Sequence, residues 1–159
     1  MKIAICPGSF DPVTLGHLDI IERAAAMFDE VVVLVMSNSS KNSAFSVEER
    51  MMLLQKCITS DKIKVDTYNG LLVEYAKKID ATAIVKGLRA VSDFDYEFQQ
   101  ALINKSLYPK IETVFMPAMG ENMFLSSSMV KEVCRLDGDI SPYVPTQIVD
   151  DIYLRCKGD

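Results

Sequence analysis

Short apolar runs alternate with amphipathic stretches along the whole chain. That alternation predicts an α/β protein: a doubly wound sheet of about five parallel strands with flanking helices. Two further observations support the prediction. Val31–Met36 is an unbroken apolar run, mostly β-branched, as in a strand covered on both faces. At the N-terminus an apolar run, a loop bearing Gly and Pro, and a helical pattern follow one another, the local plan of an α/β ligand site. With 159 residues, 49% of them hydrophobic, the chain can bury one core, so a single domain over 1–159 is expected.

Lys2–Cys6 reads as the first strand. From Gly16 to Phe28, Leu18, Ile21, Ala24, Ala25 and Phe28 recur at helical spacing, with Glu22 and Arg23 on the wet side. Val31–Met36 completes a βαβ unit, for which a right-handed crossover is the rule. Ser37–Ser43 is a polar loop. Ser46-Val47-Glu48-Glu49 has the pattern of a capping box and opens a helix to about Ile58. Ile63–Val65 predicts a short third strand, Leu71–Ile79 a helix, and Thr82–Val85 a fourth strand that delivers Lys86-Gly87-Leu88-Arg89. A helix from Ser92 or Asp93 to about Leu107 should turn Phe94, Phe98 and Leu102 inward. Glu112–Pro117 supplies the fifth strand. The Met-rich loop Ala118–Leu125 follows, then Ser126-Ser127-Ser128 opens a helix to about Leu136. A last amphipathic helix, about 146–156, covers the core or meets another subunit. The whole is a Rossmann-like order of elements.

A net charge of -5 and a pI near 4.9 argue against a general binder of nucleic acid or of acidic membrane. Any anionic ligand must then be met by a local cluster of cations. The four cysteines (Cys6, Cys57, Cys134, Cys156) form no C-x-x-C pair, and one histidine cannot complete a usual Cys/His zinc site. Reduced, buried thiols in a cytoplasmic protein are expected. No signal peptide is apparent, and Val31–Met36 is far too short to span a bilayer.

The chemistry concentrates where strands end. Cys6–His17 reads CPGSFDPVTLGH: Gly8 and Gly16 remove side chains where phosphate could come close, and Ser9 and Thr14 offer hydroxyls. His17, the single histidine, falls in the first helical turn, where free N–H groups suit phosphate oxygens or where the ring simply caps. A catalytic pairing of His17 with a cysteine is a competing reading. Lys41 is the cation of its loop, and Lys86 and Arg89 stand three positions apart at a strand mouth. Each serves an anion or is solvated surface charge. Glu97 is a polar contact or a solvated helix carboxylate. One serine of Ser126–Ser128 suffices for a cap, and three together point to phosphate.

The loop is neither a Walker A loop nor a GxGxxG fingerprint. It resembles the nucleotidylyltransferase signature GxFDPxxxGH. GSFDPVTLGH, KGLRAVSDFDYE and SSSMVKE occur in the order and spacing of the bacterial phosphopantetheine adenylyltransferase family, and the resemblance covers nearly the whole chain. It implies reversible transfer of the adenylyl group of ATP to 4′-phosphopantetheine, giving dephospho-coenzyme A and pyrophosphate, in a cytoplasmic homohexamer. It implies that Ser9 contacts both substrates and that Phe10, Gly87, Leu88, Arg89, Glu97, Asn122, Met123, Phe124, Leu125, Ser126, Ser127 and Ser128 hold ATP. His17 would meet the nucleotide phosphates and stabilise the transition state, while Lys41, Leu72 and Lys86 line the phosphopantetheine side. Lys86 stands where arginine is frequent, and Ser9 where threonine is. The serine keeps the hydroxyl; the lysine keeps the charge without the bidentate fork.

The acceptor phosphate is already an anion, so direct in-line transfer needs orientation and charge screening rather than a strong base. His17, Lys41, Lys86 and Arg89 are the expected groups. Magnesium should arrive on the ATP phosphates, because no carboxylate cage is evident. A sister enzyme acting on nicotinamide mononucleotide or a phospho-alcohol is the nearest alternative, and a non-catalytic nucleotide-binding regulator is another.

Overall fold

The computed structural model describes residues 1–37, 42–89 and 91–157, the side chains of 91 and 92 apart. Strands β1 (Ile3–Gly8), β2 (Glu30–Met36), β3 (Ile63–Tyr68), β4 (Ala83–Leu88) and β5 (Glu112–Pro117) alternate with helices α1 (Leu15–Met27), α2 (Val47–Cys57), α3 (Leu72–Lys78), α4 (Val91–Leu107), α5 (Ser127–Arg135) and α6 (Val149–Lys157). The sheet is parallel throughout, in the order β3-β2-β1-β4-β5. The order reverses between β1 and β4, and ligands of open α/β sheets bind at the carboxyl ends of strands at such a point.

Alternation along the central strands divides the core in two. Ala4, Cys6, Val31, Val33 and Val35 face the larger half with Ile20, Ile21, Leu54, Val130 and Ile152. Ile5, Val32 and Leu34 face the smaller half with Tyr75, Ala76, Ile84 and Ile111. The C-terminal helix α6, after a 3₁₀ turn at Thr146–Ile148, buries Ile148 and Ile152 in the larger half.

Three strands run further than the sequence reading allows. β1 continues through Pro7 and Gly8, which pair with Leu34 and Val35 of β2. Its pairing with β4 comprises Ala4–Ala83 and Ile5–Ile84, so Pro7 lies where β1 has become an edge on that side, a position that tolerates proline. β4 carries Lys86, Gly87 and Leu88 as strand residues opposite Phe115, Met116 and Pro117, not as a loop. β3 reaches Tyr68 because Asp66, Thr67 and Tyr68 pair with Leu34, Val35 and Met36. Its polar alternation is that of an edge strand.

The expectation that Phe94, Phe98 and Leu102 face inward is wrong. They are 40%, 44% and 56% exposed. Helix α4 lies against β4 and β5 at the end of the sheet, where the smaller core has no further layer to cover it. Phe94 stacks on Phe98 at 5.4 Å and meets Phe115 edge-on at 5.8 Å, which leaves an apolar stripe facing out. Among the described residues no helix is long and apolar enough to cross a membrane.

Candidate active site at the β1–β4 crevice

The loop from β1 to α1 turns back on itself at Phe10, whose φ of 48° is left-handed. The ring thereby folds over Gly8, where a Cβ would lie 2.9 Å from Phe10 Cζ, so glycine is required there. Burial of Phe10 and its edge-on contact with His17, 5.1 Å between centroids, offset a backbone cost of about 1–2 kcal/mol. The loop ends at Thr14, the N-cap of α1.

Thr14 and His17 form a capping box with histidine in the place usually held by Glu or Gln. The backbone N–H of Thr14 donates to His17 Nδ1 at 3.0 Å, and His17 N–H donates to Thr14 Oγ1 at 3.3 Å. A backbone N–H can only donate, so Nδ1 is the acceptor and the neutral ring carries its proton on Nε2. Burial, followed by the positive charge of Arg89, pushes the His17 pKa down to about 4. At neutral pH His17 is therefore an uncharged hydrogen-bond donor through Nε2. The capping reading and the phosphate reading of this residue are compatible: each uses one nitrogen.

Two buried charges hold the loop from beneath. Arg50 of α2, 3% exposed, donates through Nη1 to the carbonyls of Ser9 (2.7 Å) and Met36 (3.3 Å), and through Nε to that of Ser46 (3.3 Å). Ser46 and Glu49 close the expected capping box that starts this helix. Asp11, 5% exposed, accepts from Ala44 N–H (3.0 Å), Phe45 N–H (2.9 Å) and Lys131 Nζ (2.7 Å). Burial pushes the Asp11 carboxyl up, and the Lys131 and amide hydrogen bonds outweigh it, so the net shift is downward.

Across the crevice, Gly87 admits Ile20 of α1: a Cβ there would stand 2.9 Å from Ile20 Cγ1. Lys86 Nζ lies 3.1 Å from Glu97 Oε2, an ion pair outside hydrogen-bond geometry that leaves this oxygen buried without a hydrogen bond. Arg89 donates to Asp93 (3.1 Å) and to the carbonyl of Leu125 (2.8 Å), tying the end of β4 to the loop before α5. Ser126 caps α5 by accepting from Met129 N–H at 3.1 Å. Ser127 Oγ donates to the Pro12 carbonyl at 2.7 Å, and Ser128 is exposed.

The structure thus sets Phe10 against His17, ties the start of α5 to the β1 loop through Ser127, and brings Leu125, held by Arg89, to the first turn of α1; Ser9 is held through its carbonyl by Arg50, and Ser126 caps α5. Asn122 joins them over the first turn of α1, where a methyl on Gly16 would meet its Cβ at 3.5 Å. Met123 and Phe124 are exposed, and Leu88 closes β4 opposite Pro117. Leu72 begins α3 beyond the edge strand β3 and packs against the smaller core. Lys86 and Glu97, which the resemblance puts on different substrates, are paired with each other. Lys41 lies outside the described residues. A groove of about 370 Å³ between α2 and α6, lined by Phe45, Glu49, Met52, Lys56, Leu154 and Arg155 among others, contains none of the expected site residues.

The sequence reading missed Arg50 and Lys131, and gave Asp11 no role. An arginine in an otherwise amphipathic helix and a lysine one turn past a serine cap look like surface charge. The signal for Asp11 was its place between two prolines and glycines in a loop that must be anchored. The cysteine–histidine alternative has no contact behind it: among the described residues the hydrogen bonds of His17 go to Thr14 and none to a thiol, and burial, opposed by the charge of Lys86, pushes the Cys6 thiol up to about 12. Among the described residues no group of three His, Cys, Asp or Glu side chains is arranged to hold a metal ion.

Comparison with known proteins fits this geometry. The cytidylyltransferase-like family model matches residues 5–133. The chain is 55% identical over 156 residues to a phosphopantetheine adenylyltransferase of Alkaliphilus oremlandii, covering 98% of this chain and 99% of that one. It is 53% identical over 155 residues to that of Dictyoglomus turgidum, covering 97% of each. Its fold is similar to that of a Plasmodium falciparum nicotinic acid mononucleotide adenylyltransferase complexed with NaAD, with a TM-score of 0.70, 18% identity, and coverage of 95% and 94%. Half-identity along the full length, on a sheet whose crevice gathers the signature residues, makes this chain a member of the phosphopantetheine adenylyltransferase family.

Proposed function

We propose that the chain transfers the adenylyl group of ATP to 4′-phosphopantetheine, giving 3′-dephospho-coenzyme A and pyrophosphate, reversibly and by direct in-line displacement. An oxygen of the acceptor phosphate forms the new bond to the α-phosphorus. The bond from that phosphorus to the α,β-bridging oxygen breaks, and pyrophosphate leaves with its electron pair. The observation that carries the reading is the meeting of the His17 loop with the start of α5, and of the Arg89 end of β4 with the segment before α5, at the β1–β4 crevice in a chain half identical to enzymes of that name.

His17 donates Nε2–H to phosphate oxygen as charge develops, acting as a fixed dipole and not as a cation. Arg89, Lys86 and Lys41 supply positive charge. Lys86 does so while shared with Glu97, so its contact with the acceptor phosphate and the Glu97 contact with ATP adjoin. Ser9 and Leu72 line the acceptor side; Phe10, Gly87–Arg89 and Asn122–Ser128 hold the nucleotide. Magnesium would come bound to the ATP phosphates, since the described residues offer no cluster of three His, Cys, Asp or Glu side chains to hold it. The enzyme works in the cytoplasm as a homohexamer, and the exposed stripe of Phe94, Phe98 and Leu102 on α4 is the surface that supports assembly.

Pyrophosphate release with ATP, magnesium and 4′-phosphopantetheine tests the reaction. Turnover should need that acceptor and fail with nicotinamide mononucleotide or a phospho-alcohol, and with CTP for ATP. Turnover on either other acceptor at a comparable rate would overturn the assignment. Sedimentation of wild type and Leu102→Glu tests assembly: a hexameric mass lost in the variant is expected, and a monomeric wild type would refute it.

A further inference from the structure

We propose that Asp11 and Lys131 form a positioning joint through which helix α5 sets the loop that carries Ser9 and His17. Lys131 Nζ donates to Asp11 Oδ2 at 2.7 Å, with side chains 15% and 7% exposed. One turn earlier on the same helix, Ser127 Oγ donates to the carbonyl of Pro12, the next residue of the loop, at 2.7 Å. Residues four apart share a helix face, so α5 grips two consecutive loop residues from one side. Two fixed points remove a rotation that one would leave free. The other oxygen of Asp11 accepts Phe45 N–H, and Oδ2 also takes Ala44 N–H, so the same carboxylate ties in the segment entering α2.

Three segments that contribute to the crevice thus meet at one carboxylate between Ser9 and His17. A pair of apolar residues could fill the same volume at no loss of stability, because burying two charges costs nearly what their attraction returns. What the ion pair adds is direction: Asp11 can be satisfied in one place alone. Neither residue touches the reacting atoms in this reading. They act through the position of Ser9 and His17, and a displacement of about 1 Å at a reacting group can lower a rate about 100-fold.

The joint rests on the adenylyl-transfer reading, and its test separates the two. Lys131→Met keeps the stem and removes the charge; Lys131→Arg restores it. For Lys131→Met, kcat should fall at least tenfold, with KM for ATP and for 4′-phosphopantetheine within about threefold of wild type. Lys131→Arg should recover most of the loss. Amide hydrogen exchange across residues 8–14 should quicken in Lys131→Met while β2 stays protected. A folded Lys131→Met with wild-type kcat and unchanged exchange would overturn the joint. So would a loss confined to KM for ATP, which would make Lys131 a direct contact. If Lys131→Met does not fold, Lys131→Gln, which keeps an N–H donor without the charge, is read by the same criteria. A wild type inactive on both substrates would sink the reaction reading, and the exchange measurement would then decide the joint by itself.

Discussion

His17 caps α1 through Nδ1 and, in the proposed reaction, donates through Nε2, and two substitutions separate these tasks. Alanine removes both nitrogens. Asparagine places its Oδ1 as many bonds from Cα as Nδ1, so it can accept Thr14 N–H, and it has nothing at the Nε2 position. Loss of a capping interaction costs about 1 kcal/mol, so His17→Ala should unfold at lower denaturant than wild type while His17→Asn stays within about half of that cost. Loss of a donor aimed at developing charge costs about 2.7–4 kcal/mol of barrier, a factor of about 10²–10³ in turnover. Both variants should therefore lose turnover alike, with ATP affinity changed much less. Pyrophosphate release under saturating substrates reads turnover, and equilibrium urea unfolding reads stability. Turnover of His17→Asn within tenfold of wild type would refute the role of Nε2. Equal destabilisation of the two variants would refute the role of Nδ1.

Acid should weaken the fold in two separate ranges. The His17 pKa is about 4 in the folded chain and ordinarily 6.5, so the unfolded chain binds more protons between those values. Stability is complete above pH 6.5 and falls as pH drops toward 4, by no more than ~3 kcal/mol; the slope should flatten in His17→Asn, and an identical pH profile for the two proteins would exclude this origin. Asp11 is held below its ordinary value, so its contribution persists through that range and is lost below about pH 3.8, as a Lys131→Met comparison at low pH would show. Gly87→Ala forces a Cβ to 2.9 Å from Ile20 Cγ1 and should cost ~1–3 kcal/mol, and less than that when made in an Ile20→Ala background; a melting temperature unchanged to about a degree would refute the close approach.

The fold was legible because its signals are strong and local. The β-branched run of β2, the capping box at Ser46 and the strand–loop–helix at the N-terminus need no tertiary context. Strand ends were not legible: Pro7 and Lys86 are ordinary stop signals, and only the partner strand decides whether pairing continues past them. The inward assignment of Phe94 and Phe98 failed because helical spacing shows that a face is apolar and not what covers it. At the site, residues proposed to act through side-chain type (His17, Arg89, the serines) stood out. Those that act through position did not: Arg50 looks like any helix arginine until three carbonyls converge on it.

The seam between β1 and β4 joins at Ala4–Ala83 and Ile5–Ile84, whereas β1–β2 and β4–β5 are each laced along their whole length. The sheet is thus two stiff plates sharing a short stitch. His17, at the start of α1, follows β1, and Lys86 stands on β4, so the short seam lies between the strands that carry them into the crevice. Packing supplements backbone pairing across that seam, and Ile20 of α1 seated on Gly87 of β4 is the clasp that bridges it.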